Sequence, residues 1–234
     1  KTTSNEKSIV VTSLGEREYD HVISTMPLSQ LVQIYQGVPK NMRLKAQRLQ
    51  MRSTLLVYVE IHGMPQFEDQ WIYIHSPHVQ AGRITNFANW GIPQNEKRQR
   101  HTLCLEYWCT MGDSFWSQNE VELCDIAEKD LTNLGYSPDI LGRTHVIKLP
   151  NTYPVLTSET ETILNELSRE INHYGSVQSI GRAGAFKYNN QDHCMEMGFL
   201  AAEKIFGIAT DPWAVNSRSS YLEEQIVEAN LPPG

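Results

Sequence analysis

The stretch 179–206, SIGRAGAFKYNNQDHCMEMGFLAAEKIF, constrains this chain more than any other. A glycine-arginine pair reads as the end of a strand, an aromatic loop and a polar turn follow, and an apolar helix rich in small residues opens directly after the turn. The unpaired N–H groups and positive dipole end of such a helix suit negative charge, whether on a phosphate or on a ring that becomes anionic when reduced. Arg182 can add a fork-shaped cationic contact, or be a surface or salt-bridged arginine. Gly181 and Gly184 permit close backbone approach to a flat ligand, and Gly198, Ala201 and Ala202 let the helix lie tightly on a sheet.

Around this segment, periodicity marks further elements. A β-branched strand at 8–12, a turn at Leu14-Gly15-Glu16 and a strand at 19–25 stopped by Pro27 open the chain. A helical stretch from Ser29 places Leu31, Ile34 and Tyr35 on one side. The basic run Lys40, Arg43, Lys45, Arg48 and Arg52 reads as a solvated face, with a substrate-phosphate role as the alternative. Segments 52–62, 70–75, 82–90 and 101–109 are rich in β-branched and aromatic residues and end in turn residues, which predicts consecutive antiparallel strands. A helix at 117–134 is expected with Ser117 as cap, Glu120 at the capping-box position, and Val121, Leu123, Cys124, Ala127 and Leu131 on its apolar face. A strand at 143–149, a break at Tyr153-Pro154 and a helix at 158–172 complete the middle. Periodicity alone supports an α+β domain flanked by α/β elements.

Composition bounds the function. A net charge of -7 and a pI near 5.6 oppose a nucleic-acid partner, whose phosphates such a surface repels. The apolar run at 55–59 is far shorter than the ~20 residues of a membrane helix, and no signal-peptide pattern is present, so a cytoplasmic protein is expected. Cys104, Cys109, Cys124 and Cys194 lack metal or disulfide spacing and read as reduced thiols. Cys194 alone falls in the first turn of the ligand-facing helix, either packed or activated by the dipole. His75 and His78 flank a proline without a third ligand, so no metal site is expected. His193 reads as a polar helix-surface residue. No hydrolase nucleophile elbow, zinc-protease motif or phosphate loop occurs.

The 179–206 string resembles the C-terminal flavin-binding segment of the family that includes FAD-dependent amine oxidases, protoporphyrinogen oxidases and UDP-galactopyranose mutases. Gly181, Arg182, Phe186, Lys187, Tyr188 and Asp192 match the mutase pattern, with Asn190 and Gln191 standing where an acid and a Met occur there. Segments 18–28 (EYDHVISTMPL), 151–155 (NTYPV) and 213–224 also resemble this family. The resemblance implies an α/β (α+β) fold: the C-terminal part of a two-domain, Rossmann-like FAD-binding flavoprotein with an inserted mixed-sheet substrate domain. Residues 1–29 and 176–234 are then an incomplete FAD-binding domain, since neither the G-x-G-x-x-G turn nor its following acid occurs. Residues 30–175 form the substrate domain.

The implied cofactor is FAD, contacted by Gly181, Arg182, Asn190, Gln191 and Asp192, carried by the full-length protein and not retained by this part alone. The implied partners are the missing N-terminal half of the polypeptide and a small-molecule substrate, held by Arg182, Tyr188, Tyr153 and Arg83. The leading expectation is an FAD-dependent oxidoreductase. A mutase-like non-redox flavoenzyme acting on a nucleotide sugar is the alternative, for which Arg83 is the available second phosphate arginine. A binding or assembly module completed by a separate nucleotide-binding subunit is the third.

Overall fold

The computed structural model describes residues 7–90, 100–173 and 175–216. The chain divides into two compact units, residues 51–152 and a discontinuous unit of 1–50 with 153–234. The first is shorter than the expected 30–175, and the helices on either side of it belong to the second. The resemblance at 213–224 lies outside the described residues from position 217 onward.

The discontinuous unit begins with a hairpin, β1 (Ser8–Thr12) and β2 (Gly15–Tyr19), in register from Ser8↔Tyr19 to Thr12↔Gly15. Its turn is Ser13-Leu14, one position earlier than expected, because Gly15 supplies a φ of +117° and the Leu14 N–H bonds the Thr12 hydroxyl at 3.1 Å. The expected strand 19–25 is broken at Asp20-His21, after which β3 (Val22–Ser24) pairs in parallel with β9 (Val177–Ser179). Parallel pairing needs a crossover, and here the crossover contains everything between the two strands.

Helix α1 (Leu28–Ile34) buries Leu28, Leu31 and Val32 and is followed by buried Tyr35, while Ile34 is exposed, against expectation. Helix α2 (Lys40–Ala46) starts after Pro39, whose fixed φ suits a helix entry. Its basic residues are not uniformly solvated. Arg43 donates to the carbonyls of Gln33, Tyr35 and Val38 and so caps the end of α1. Lys45 pairs with Glu166 and Arg48 with Glu159, whereas Lys40 and Arg52 are exposed. Helix α4 (Thr160–His173) buries Ile163, Leu167 and Ile171 at helical spacing. An apolar cavity of about 480 Å³ is lined by Ile9, Val11, Val22, Leu31, Ile34 and Val177.

The 51–152 unit is built on a sheet of order β5-β6-β7-β4-β8. Strands β4 (Met51–His62), β5 (Trp71–Tyr73), β6 (Arg83–Asn86) and β7 (Arg100–Cys109) pair antiparallel, as the alternation predicts. Leu55, Val57, Val59 and Ile61 of β4 are fully buried, with Leu103, Leu105 and Tyr107 of β7 beside them. Helix α3 (Glu120–Asn133) covers this face with Leu123, Ala127 and Leu131. Its cap is Asn119 rather than Ser117: the Asn119 side chain accepts from the Glu122 N–H and Glu122 accepts from the Asn119 N–H, both at 3.0 Å. Ser117 instead closes a turn onto the Asp113 carbonyl, and Val121 is exposed.

Strand β8 (Leu141–Pro154) runs through the expected Tyr153-Pro154 break, with Asn151 at φ 55° absorbing the local distortion. Asp130 of α3 is buried and accepts from the N–H groups of Gln80 (3.1 Å) and Ala81 (2.9 Å) and from the Tyr107 hydroxyl (3.1 Å). This pins the segment leading into β6. Burial, then the neighbouring Asp130 charge, pushes the Tyr107 phenol well above its ordinary range.

Candidate functional site

Strand β9 ends at Ser179, and the glycine-arginine pair opens a short helical turn, α5 (Gly181–Gly184), rather than closing a strand. Gly181 takes a φ of +80°, which a side chain would strain. Gly184 serves packing rather than ligand approach: a Cβ there would lie 3.1 Å from both the Ser179 hydroxyl and the Ser24 carbonyl. Helix α6 (Gln191–Ile205) then starts from Asn190, its N-cap in extended conformation. Its face on the rest of the unit is Met197 and Ala201, with a Cβ at Gly198 meeting nothing within 4 Å and Ala202 exposed.

Between these helices lies the site. Arg182 is half-buried and its Nε donates to the Asn189 carbonyl at 2.7 Å. Its guanidinium carbon sits 4.9 Å from the centre of the Tyr153 ring and 5.2 Å from that of Tyr188, and the two rings stack with centroids 5.4 Å apart at 22°. Three of the four expected substrate residues therefore form one cluster, held by cation–π attraction. Among the described residues the two terminal nitrogens of Arg182 take no hydrogen bond, so the fork remains open to a planar anion. Arg182, Asn189, Asn190, Gln191, Cys194 and Met195 line an open groove of about 470 Å³ there. The expected cofactor residues Asn190 and Gln191 thus border the same groove as Arg182. Asp192 is exposed, and His193 is half-buried with its Nδ1 accepting the Asn190 N–H at 3.1 Å.

The loop that presents Tyr188 is held from several sides. Phe186, buried, adopts φ 52°, a costly conformation for a bulky residue that persists because its surroundings fix it. Lys187 donates to the carbonyls of Trp213 and of Val215 (2.8 Å), and burial draws its pKa below the ordinary lysine range. Buried Asn189 accepts from Asn216 at 2.9 Å, and Asn216 also donates to the Tyr188 carbonyl. Sequence reading missed Lys187, Asn189 and Asn216 as supports. The adjacent amides Asn189 and Asn190, which suit turns and caps, were the available signal.

The fourth expected substrate residue, Arg83, lies in the 51–152 unit. It forms a two-pronged pair with Glu106, Nε and Nη2 each 2.7 Å from a carboxylate oxygen, over the rings of Trp71 (5.4 Å) and Tyr73 (5.9 Å). Tyr73 in turn lies 6.2 Å from Trp108, whose ring covers Gly82 so closely that a Cβ there would fall 2.1 Å from it. Glu106 and the three aromatics were not expected. Their signal is the alternation that puts positions 71, 73, 83, 106 and 108 on the sheet face opposite α3.

Among the described residues no group of three His, Cys, Asp or Glu side chains could hold a metal, and no helix is long and apolar enough to cross a membrane. All four cysteines are free.

Solved structures similar to this chain share its fold. A crystal structure of reduced UDP-galactopyranose mutase superposes with a TM-score of 0.76 at 22% identity, over 89% of this chain and 46% of that one. A protein described as a protoporphyrinogen oxidase from Exiguobacterium sp. 255-15 gives 0.59 at 15% identity, over 78% of this chain and 40% of that one. A fatty acid isomerase from P. acnes that produces CLA gives 0.61 at 12% identity, over 88% and 46%. The chain has the fold of part of these proteins. It spans about half the length of the structures it matches. No protein-family profile matches the sequence, and no curated protein matches it.

Proposed function

We propose that this chain is the C-terminal part of an FAD-dependent oxidoreductase. The observation that carries the reading is the open fork of Arg182, fixed over Tyr153 and Tyr188 beside the N-terminus of α6. The residues present fit a flavin: the first N–H groups of α6, after Asn190, offer partial positive charge to a ring that gains negative charge. When bound, the flavin supplies hydride acceptance, which side chains cannot provide. Asn190 and Gln191 would border the ring, Arg182 would face it or an anionic substrate group, and Tyr153 and Tyr188 would hold Arg182 in its orientation. The substrate would be a small molecule.

The mutase-like reading has one observation in its favour: Arg182 and Tyr188 occupy the positions that hold the sugar-nucleotide diphosphate in the resembled mutases, and here they touch. The Arg83–Glu106 pair weighs against it, because the second arginine expected for a diphosphate is already neutralised by a carboxylate.

Two measurements on the polypeptide translated from the complete reading frame separate these readings. Its absorbance as purified reports bound flavin, and a colourless, folded protein that FAD does not protect thermally refutes both. In a flavin-bearing protein, Arg182→Lys should release cofactor or shift its reduction potential under the oxidoreductase reading. Under the mutase-like reading it should leave flavin in place and weaken UDP-sugar binding about tenfold to hundredfold, the loss of one charge-assisted fork. The 234-residue chain alone should bind FAD weakly by calorimetry, since it carries no pyrophosphate turn.

A further inference from the structure

The segment that carries Arg182 is tied at both ends to one short stretch of chain, residues 211–216, which contains a single turn of 3-10 helix at Pro212–Ala214. At the near end, where β9 stops, the Trp213 indole N–H donates to the Ser179 carbonyl at 2.8 Å. At the far end the Asn216 amide nitrogen donates to the Tyr188 carbonyl at 3.2 Å and to the Asn189 side-chain oxygen at 2.9 Å. Lys187, donating to the Trp213 and Val215 carbonyls, fastens the middle. The Arg182 carbonyl accepts the Lys187 N–H at 3.0 Å, which closes residues 182–187 into a loop that moves as one piece.

The two residues that Asn216 holds are the two that orient Arg182. The Arg182 Nε donates to the Asn189 carbonyl at 2.7 Å, and its guanidinium lies over the Tyr188 ring. Asn189 is 1% exposed, and its own amide nitrogen donates to the Met197 sulfur at 3.1 Å, so α6 fixes one side of that side chain and Asn216 the other. Asn216 does not line the groove and acts on it only through these neighbours. Its residue type answers two demands at once. The backbone there has φ 51°, in the left-handed region that asparagine tolerates, and one amide nitrogen carries two hydrogens for two acceptors. A carboxylate has no such donors, and glycine satisfies the backbone alone.

We propose that Asn216 is a positioning residue for Arg182: its amide, clamped on the Tyr188 carbonyl and the Asn189 side chain, sets the direction in which the Arg182 fork points. Without the clamp the Asn189 carbonyl loses its fixed place, and the Arg182 Nε loses its acceptor. The left-handed turn at Phe186 then has less around it to keep it strained, so the loop is free to relax away from the groove. The functional weight of this clamp rests on the reading of Arg182 given under Proposed function, whereas the clamp itself needs no ligand and is measured without one.

Nitrogen-15 magnetic resonance of the 234-residue chain reads the Arg182 Nε–H directly, and Arg182→Lys identifies its signal by deletion. That signal should be protected from water in the parent. In Asn216→Gly, which keeps the backbone and drops the amide, and in Asn216→Asp, which keeps the shape and drops the donors, it should exchange about tenfold faster, the worth of one hydrogen bond. Melting followed by circular dichroism should change little in either. An unchanged Arg182 signal in Asn216→Gly overturns the proposal. So does release in Asn216→Asp alone, which would be carboxylate repulsion against Asn189, and so does a glycine variant that unfolds, which would make Asn216 a residue of the fold. In a flavin-bearing polypeptide of the complete reading frame, Asn216→Gly should move the reduction potential or the UDP-sugar affinity in the same direction as Arg182→Lys and by less. A freed Arg182 with neither quantity moved overturns the positioning role. Release of Arg182 in a protein without flavin supports the clamp and refutes the flavin reading, so the two fail separately.

Discussion

Removing the carboxylate of Asp130 should unfasten the segment that delivers Arg83 to its sheet. Asp130 is 1% exposed and is the shared acceptor of the Gln80 and Ala81 N–H groups and of the Tyr107 hydroxyl. In Asp130→Ala, the Ala81 N–H and the Tyr107 hydroxyl stay buried without a partner, while Gln80 lies nearer the surface and can turn to water. Two buried groups at about 1–3 kcal/mol each, at the upper end because the lost acceptor is charged, put the cost at about 3 to 5 kcal/mol. Asp130→Asn keeps one carbonyl oxygen for the backbone and offers an N–H to the Tyr107 oxygen, so its cost should be only about 1 to 2 kcal/mol.

Urea titration followed by far-ultraviolet circular dichroism measures the global loss, with an expected midpoint shift of about 1 to 2 M for the alanine variant. Amide exchange at residues 80–83 measures it locally, and should show the segment opening ahead of β4 and β7. An alanine variant within about 1 kcal/mol of the parent, or an asparagine variant as damaged as the alanine one, would refute the assignment of Asp130 as the acceptor that holds this segment.

Alkaline pH should weaken the fold through Cys104, whose thiol burial and the nearby Glu106 carboxylate push up to about 12. Folded protein then keeps a proton that unfolded chain releases above about 8.5, so stability is full below that pH and falls toward pH 12; urea midpoints at pH 7 and 10 should differ, and less so in Cys104→Ala. Asn119→Ala removes the capping box of α3 and should cost about 0.5 to 2 kcal/mol by the same titration, while Ser117→Ala should cost less. Lys187→Met deletes the donor to the Trp213 and Val215 carbonyls and should accelerate amide exchange at residues 213–216 by roughly tenfold or more.

The elements that were legible in the sequence are those whose burial repeats along one segment. In β4, alternate residues from Leu55 to Ile61 face one core, so period and strand coincide; in α4, Ile163, Leu167 and Ile171 do the same at helical spacing. Boundaries set by a single side chain were not legible. Ser117 and Asn119 are both good caps with Glu three positions on, and Asn119 takes the role because Asp113 has drawn Ser117 into the preceding turn. The glycine-arginine pair read as a strand end because strand residues precede it, but a φ of +80° at Gly181 turns the chain into α5 first.

The two arginines show why a site's residues can be named before its chemistry can. Arg182 and Arg83 were both candidates for holding an anion, and as sequence positions they look alike. What separates them is their partners. Arg182 meets Tyr153, 29 positions away, and rings leave a guanidinium its charge and its fork. Arg83 meets Glu106, placed opposite it by the register that sets Ile84 against Leu105, and a carboxylate takes both. Alternation tells which face a strand residue occupies, but only register tells which residue stands across from it. A one-residue slip of β6 against β7 would separate Arg83 from Glu106. The sign of charge that the sheet can offer a ligand is thus fixed by pairing between strands, and Glu106→Gln is the substitution that should return it to Arg83.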